Sequence, residues 1–552
     1  MWRRLKKLYA DRKNLKKSLD WLVKISSPNK WNLLTLVVIN CVLTAVGVAS
    51  AAVNKHIVDK AMDFSTVLPY IIVAVLFAAG SIAGSVFLSI FSVRLTEKYS
   101  FHIRCEMYKH ILKSVWTKRT AFHSEGLLSR MTSDAAVVTN GVINVSLEII
   151  TTIVQFVMAF ALLWYYDASL AVVALFSGPV AAIVSVYMGA KLKTIQVNIQ
   201  QSEADYRQYL QEHISHADVV KVFGQEDVSI EALAELQKKR YFWIKKKNRL
   251  TVYSGAIISF VFSFTYLFAF VTGAFDISKG VITYGTMTAF LGLMGQVQVP
   301  VMALSKLIPQ FVGILASTGR IMEITEMKEE EVTDKIPLEK GSVGLKAENL
   351  TLSYGGNDII KDFSMDIKPG ETVMLAGSSG IGKTTLLRGI LGLLAPVSGD
   401  IVMYDNNGMV AKCSKNTRNY LSYVPQGNTL FSGTIKDNLK MGKADATEEE
   451  MLQALDVACA TEFVKGLEDG LDTMVGERGC GLSEGQAQRI SIARALLKSY
   501  DLLILDEATS ALDEATEAEI LRNLSNTNQK TCLFVSHRET VGKYANRIIS
   551  IK

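Results

Sequence analysis

Three observations predict an α-helical membrane domain followed by an α/β domain with a phosphate-binding loop. Six long apolar stretches lie between Trp31 and Ile308. The loop Gly377-Ser378-Ser379-Gly380-Ile381-Gly382-Lys383-Thr384-Thr385 sits between a strand-like run and a helix-like run. Strand-like and helix-like runs alternate in the rest of the C-terminal part. With 552 residues, 49% hydrophobic and only 20% charged, the chain is too apolar for an ordinary soluble protein of its size.

The six stretches run approximately Trp31–Val53, Leu68–Val93, Val142–Tyr165, Leu170–Ala190, Ala256–Phe275 and Tyr284–Ile308. Each can cross a bilayer core, which takes about 20 helical residues. Residues 1–30 carry ten Lys and Arg residues against Asp11 and Asp20, a bias that keeps this end cytoplasmic. Trp2, Leu5, Leu8 and Tyr9 are interleaved with the basic residues. The segment is expected to serve topology or to lie as an amphipathic elbow helix on the anionic inner leaflet. It is not expected to be a cleaved leader, because the first span is long and lacks an obvious small-residue cleavage site. The net charge of +6 is explained by this end and does not suggest nucleic acid.

Outer connections are short, such as residues 166–169. Inner ones, Arg94–Gly141 and Lys191–Gly255, are long, with few glycines and apolar residues at helical spacing. They read as extensions of the membrane helices, joined by crosswise helices near 122–134 and 213–226. The membrane domain is thus expected over 31–325. Residues 326–343 form an acidic, irregular linker with Glu329, Glu330, Glu331, Asp334 and Pro337, and residues 344–552 form the α/β domain.

A polyphosphate needs the loop at 377–385. Its glycines let backbone N–H groups turn toward the β-phosphate, and the following helix adds its positive N-terminus. Lys383 is placed to neutralise β/γ oxygens and Thr384 to ligate Mg²⁺. The buried strand Leu502–Asp506 ends in two carboxylates: Asp506 for Mg²⁺ and Glu507 to polarise the attacking water. His537 ends another apolar strand, within reach of a γ-phosphate. Gln426 is a candidate Mg²⁺ ligand and γ-phosphate sensor. Tyr354 either stacks on adenine or packs in the core.

Leu482-Ser483-Glu484-Gly485-Gln486, followed by an Ala- and Arg-containing helix, resembles the signature of the ATP-binding cassette (ABC) family, and the resemblance covers essentially the whole chain. In that family the signature of one cassette caps ATP bound to the other. The resemblance therefore implies a dimer in which Ser483, Gly485 and Gln486 act on the partner's nucleotide. Ser510–Asp513 resembles the loop through which cassettes communicate, and Val475–Gly479 the loop that couples cassette to membrane domain in exporters. A six-span domain fused to one cassette is the exporter half-transporter layout. The implied fold is the ABC exporter fold, the implied cofactors are ATP and Mg²⁺, and the implied activity is ATP hydrolysis coupled to export across the cytoplasmic membrane. An ATP-gated channel or regulatory subunit is the alternative. Retention of Lys383, Asp506, Glu507 and His537 favours turnover.

Three departures stand out. Glu484 replaces a signature glycine, and its side chain is expected to point away from phosphate. The chain ends at Lys552, sooner after His537 than such cassettes commonly do. About 30 residues precede the first span, which is expected to leave no room for the N-terminal cysteine peptidase of some peptide exporters. A homodimer is favoured because Glu507 and His537 are both retained, with a heterodimer as the alternative.

Substrate identity is not legible, and peptide, lipid and amphipathic drug remain open. Phe260, Phe264 and Phe268 share one face of the fifth span, with Phe262, Tyr266 and Phe270 nearly opposite. Gln155, Gln296 and Gln298 either contact substrate or bond neighbouring helices, and Glu148 is expected near the inner membrane boundary. The six cysteines lack metal or redox spacing and read as reduced packing residues, and the seven histidines form no metal cluster.

Overall fold

The computed structural model describes residues 15–117, 124–166, 168–330, 338–341, 343–354, 356–378, 380–476, 479, 481–526 and 530–551. Two compact units result: residues 1–111 with 124–326, and residues 112–123 with 327–552.

The described residues of the first unit are helical apart from short turns between helices. Residues 15–26 form α1, and a 3₁₀ turn, Ser27–Asn29, leads into α2 (Lys30–Asp59) and then α3 (Phe64–Lys113). The third long helix comprises α4 (Ser124–Ser129), α5 (Ala135–Asn140) and α6 (Ser146–Tyr166), joined by π-helical segments Arg130–Asp134 and Gly141–Val145. Then come α7 (Ala168–Ser215), the six-residue α8 (Ala217–Val222), α9 (Glu226–Ser278) and α10 (Tyr284–Thr325). Four helices among the described residues are long and apolar enough to cross a membrane. At 1.5 Å per residue the 50 residues of α3 span roughly 75 Å, far more than a bilayer core of about 30 Å.

The two windows read as crosswise helices differ in form. Residues 122 and 123 lie outside the described set, and 124–134 belong to the third long helix, running on through its first π segment. α3 itself ends at Lys113, ahead of this window. In the second window, α8 is a separate short helix between α7 and α9.

Polar contacts fix the helix ends. Gly285 N donates to Asp59 Oδ1 at 2.8 Å, and a Cβ at Gly285 would meet the Lys55 carbonyl, so α10 starts against the end of α2. Asp134, in the first π segment, accepts from Arg320 Nε at 2.7 Å and from Ser317 Oγ at 2.9 Å on α10. Gln296 Nε2 donates to the Gly47 carbonyl at 3.1 Å, bonding α10 to α2. On α9, Phe262 is buried while Phe260, Phe264 and Phe268 are exposed.

The second unit holds two sheets. β1 (Gly344–Tyr354), β2 (Asn357–Ile367), β4 (Ser398–Tyr404) and β5 (Val410–Lys412) form an antiparallel sheet in the order β2-β1-β4-β5. β3 (Thr372–Ala376), β6 (Leu421–Val424), β9 (Leu502–Asp506), β10 (Thr531–Val535) and β11 (Arg547–Ser550) form a parallel sheet in the order β11-β3-β10-β9-β6. β9 and β10 are buried at every position, which explains their near-continuous apolar sequence. Between and around these strands lie α11 (Lys383–Ile390), the short pair β7 (Gly433–Thr434) and β8 (Met474–Val475), α12 (Ile435–Lys440), α13 (Glu448–Val457), α14 (Thr461–Lys465), α15 (Glu484–Leu497), α16 (Glu514–Asn526) and α17 (Glu539–Gly542). Part of the acidic linker carries defined contacts. Glu330 receives two hydrogen bonds from the Arg418 guanidinium, at 2.8 and 2.9 Å.

Candidate functional site: a phosphate loop facing a held carboxylate

The parallel sheet sets the site. β3, β10 and β9 run side by side, so the loops at their C-terminal ends converge, as in open α/β sheets that bind ligands there. The loop after β3 contains Gly380 and Gly382 at φ +82° and +110°, a left-handed backbone that glycine adopts without penalty. It ends in α11, whose N-terminus carries Lys383, Thr384 and Thr385. Ser379 lies outside the described residues. Lys383 is 7% exposed and its Nζ donates to the Gly377 carbonyl at 2.7 Å.

Opposite stands Glu507, directly after β9. Its φ of +49° is left-handed, which costs a non-glycine residue about 1–2 kcal/mol. The conformation is held at both sides: Glu507 N donates to the Val535 carbonyl and Ser510 N donates to the Glu507 carbonyl. Three predicted residues surround the carboxylate. Gln426 Nε2 donates to Oε2 at 2.6 Å, His537 Nδ1 lies 3.2 Å from Oε1, and Lys383 Nζ is 4.0 Å away. Segments 383, 426, 507 and 537 are thus brought to one point.

Asp506 is buried, and Tyr423 Oη donates to its Oδ2 at 3.2 Å. Burial pushes the Asp506 carboxyl above its ordinary value, opposed by the Tyr423 hydrogen bond and by Lys383 and Arg388, while Glu507 adds to the rise. Burial and the Asp506 charge likewise push the Tyr423 phenol up. The local donor set of Thr384 hydroxyl, Gln426 amide and Asp506 carboxylate is all oxygen, which suits a hard cation shared with phosphate. A carboxylate this buried and this weakly compensated fits a cation. No cluster of three or more His, Cys, Asp or Glu side chains occurs among the described residues.

The signature residues form a second cluster. Ser483 caps α15: its Oγ accepts from Gln486 N, and Ser483 N donates to Gln486 Oε1 at 2.9 Å. Glu484 is the exposed first residue of α15, where a carboxylate complements the helix dipole. A Cβ at Gly485 would lie 3.0 Å from the Ala511 carbonyl, so this position is tight against segment 510–513. Glu477 and Arg478 of the 475–479 loop lie outside the described residues.

Several contributors were not singled out in the sequence. Buried Gln488 donates to Ser510 Oγ at 3.2 Å and accepts from Ala511 N at 3.1 Å, stitching α15 to segment 510–513. Arg538 donates to the carbonyls of Ser510 and Leu512 and approaches buried Glu517 at 3.3 Å. Removing Arg538 leaves that carboxylate buried without its cation. Arg538→Met is expected to destabilise the chain by about 2–3 kcal/mol, the partial exposure of Arg538 discounting the full cost of a broken buried pair. Thermal unfolding of the detergent-purified chain checks this, and an unchanged midpoint would contradict it. Tyr354 is half-exposed at the end of β1, so core packing does not explain it. Its ring lies 6.1 Å from that of Trp116, and Arg388 sits 4.6 Å over the Trp116 ring.

Residues 32–301 match the family of ABC transporter transmembrane regions, and residues 360–510 match the ABC transporter family. An ATP-dependent lipid A-core flippase of Desulfotalea psychrophila is 31% identical over 509 residues, covering 90% of this chain and 87% of that protein. A putative multidrug export ATP-binding/permease protein of Staphylococcus aureus is 30% identical over 469 residues, covering 83% and 80%. A bacterial Atm1-family ABC exporter, solved with ATP bound, shares the fold with a TM-score of 0.81 at 20% identity, over 95% of this chain and 93% of that one. The chain belongs to the ATP-binding cassette transporter family, with a transmembrane region and one ATP-hydrolysing cassette fused in a single polypeptide.

Proposed function

We propose that the chain is one half of an exporter that moves an amphipathic substrate out across the cytoplasmic membrane, as a dimer driven by ATP. The observation that carries this reading is the carboxylate of Glu507, held by Gln426 and His537 opposite Lys383, in a chain that also contains membrane-spanning helices. A gating subunit has no need of a positioned base.

The residues divide the work as follows. Backbone N–H groups of 377–385 and the N-terminus of α11 bind the polyphosphate, and Lys383 leaves the Gly377 carbonyl to meet β/γ oxygens. Tyr354 stacks on the base. Thr384, Gln426 and Asp506 would hold Mg²⁺, which supplies charge neutralisation on the phosphates when bound. Glu507 accepts a proton from the attacking water, and His537 donates to the γ-phosphate. Ser483, Gly485 and Gln486 act across a dimer on the partner's nucleotide, with the capped N-terminus of α15 as anion site. Nucleotide-driven closure then favours the outward-open state, and hydrolysis resets it. The basic residues of 1–30 support a cytoplasmic N-terminus and cassette.

The partner is a second copy of the chain, because Glu507 and His537 supply a complete site from each. The chain expressed alone should form a dimer with ATPase activity and accumulate an amphipathic substrate in inverted vesicles. Passive ion current instead of accumulation would overturn export, and activity only with a different half-transporter would overturn the homodimer. Since Glu484 sits exposed at the start of a helix, Glu484→Gly should change the ATPase rate by only about threefold or less, one dipole-sized interaction. A larger change would mean that this carboxylate acts on the nucleotide.

A further inference from the structure

Two tethers fix α1 within the membrane-spanning unit. Near its start, Lys17 Nζ pairs with Glu326 Oε2 at 2.6 Å, on the residue that ends α10. At its end, Ser26 Oγ lies 2.5 Å from the Oη of fully buried Tyr99 on α3. Between the tethers, Leu19, Leu22, Val23 and Ser26 recur at intervals of three and four, one face of α1. That face does not close on its neighbours. A cavity of about 380 Å³ separates it from Val142, Val145 and Ile149 on the third long helix and from Phe311 and Ile314 on α10. The far wall is continuous, because an added Cβ at Gly141 would collide with Ile314.

Three spans put this cavity at one depth. Lys30 is the residue before the first span, and Val142 begins the third. Phe311 and Ile314 follow the end of the sixth by three and six residues, about 5–9 Å. Ile149 lies about 10 Å farther into the span than Val142. The slot thus runs from headgroup level into the hydrocarbon, on the side that carries the basic residues of 1–30. Its mouth is open: Val23 is 70% exposed, and so is Trp31 beside it, at 71%.

The chemistry of the wall selects the occupant. Water is a poor filling, since a buried water needs two to four polar partners. The hydroxyls here are already used: Ser26 donates to the Leu22 carbonyl at 2.6 Å, Ser27 to the Lys24 carbonyl at 2.8 Å, and Ser146 to the Gly141 carbonyl at 3.2 Å. The rest is aliphatic and aromatic, which suits a hydrocarbon chain. Lys30 is exposed at the mouth, with no ion pair among the described residues, its Nζ 5.9 Å from the centre of the Trp31 ring. No Asp or Glu lines the cavity. An ammonium at headgroup level above an apolar slot matches a phosphate above an acyl chain.

We propose that this cavity holds one anionic phospholipid of the inner leaflet, with an acyl chain between α1 and α10 and the phosphate on Lys30, as a resident lipid and not as cargo. The choice of leaflet rests on the exporter reading; the site does not. An acyl chain gains little by exchanging lipid neighbours for an apolar wall, so the chain supplies fit and the headgroup supplies selection. One basic residue at a charged membrane surface is worth about fivefold.

The test is photolabelling of the full-length chain in nanodiscs, without nucleotide. The probes are phosphatidylglycerol and phosphatidylcholine with the same diazirine-bearing acyl chain, each at the same trace fraction in a phosphatidylcholine bilayer. Mass spectrometry reads label on the peptides spanning Leu19–Ser26 and Gly141–Ile149. Phosphatidylglycerol should label them about fivefold more than phosphatidylcholine. Lys30→Gln should bring the two probes within twofold, and Lys30→Arg should keep the preference. Val23→Trp, which fills the slot from an exposed position, should lower labelling by both probes at least threefold. Equal labelling in the parent, the full preference in Lys30→Gln, or parental labelling in Val23→Trp would overturn the proposal. So would a parent that neither probe labels, since protein, such as a second copy of the chain, would then cover the slot. No arm uses nucleotide or transport, so failed labelling leaves the exporter reading standing, and failed export leaves the lipid site standing.

Discussion

Glu507→Gln is expected to leave ATP binding intact and to lower turnover by about 10² to 10⁴, the usual worth of a general base. The substitution isolates proton acceptance. Glutamine keeps the size and can still accept from Gln426, and it meets the same left-handed backbone, so the strain at this position does not change. The 4.0 Å approach of Lys383 loses its charge partner, which removes one attraction holding the lysine away from phosphate. The variant should therefore accumulate in an ATP-loaded, closed state. Phosphate release under saturating ATP measures the rate, and crosslinking across the cassette dimer measures closure. Turnover within threefold of the parent would show that Glu507 is not the base.

Lys383→Ala should fail at an earlier step. Lys383 is nearly buried, and in this structure its ammonium is satisfied by the Gly377 carbonyl, a bond it must exchange for phosphate oxygens. A hydrogen bond to a charged group contributes about 1.5–3 kcal/mol, so nucleotide affinity should fall by about 10- to 100-fold or more. Equilibrium titration with a fluorescent ATP analogue reads this directly. An affinity within twofold of the parent, with turnover lost, would move Lys383 from binding to chemistry.

The two variants bear on what a sequence can show. The phosphate loop is legible because its chemistry is contiguous: backbone, lysine and hydroxyl follow one another within nine residues. Glu507, Gln426 and His537 are legible as strand-end residues, but the sequence does not say that all three carboxylate neighbours reach the same two oxygens. That is set by the order of β3, β10, β9 and β6, a long-range property. Gln488 and Arg538 escape for the same reason. Each is an ordinary helix or loop residue until the fold brings segment 510–513 against it. The left-handed conformation of Glu507 is also invisible, since nothing local favours it and only its two backbone hydrogen bonds impose it.

In the membrane part, hydropathy shows the spans but not where each long helix begins. The π segments at 130–134 and 141–145 each interrupt the 3.6-residue period, so a helical face followed from Ser124 drifts off register before Ser146. Glu148 illustrates the cost. Glu148 is an exposed residue of the third long helix, and its closeness to α2 and α3 appears only once the helices are assembled.

Trp116 gives the molecule a built-in optical reporter. Of the six tryptophans, at positions 2, 21, 31, 116, 164 and 243, it alone belongs to the second unit. Its indole lies beside the phenol of Tyr354 and beneath the guanidinium of Arg388, five residues after Lys383 on α11. Indole emission shifts with the charge and polarity around the ring, so a base settling on Tyr354 changes the colour and brightness of this one fluorophore. With the other five tryptophans exchanged for phenylalanine, nucleotide arrival and departure become a signal that can be followed in real time, with no label attached.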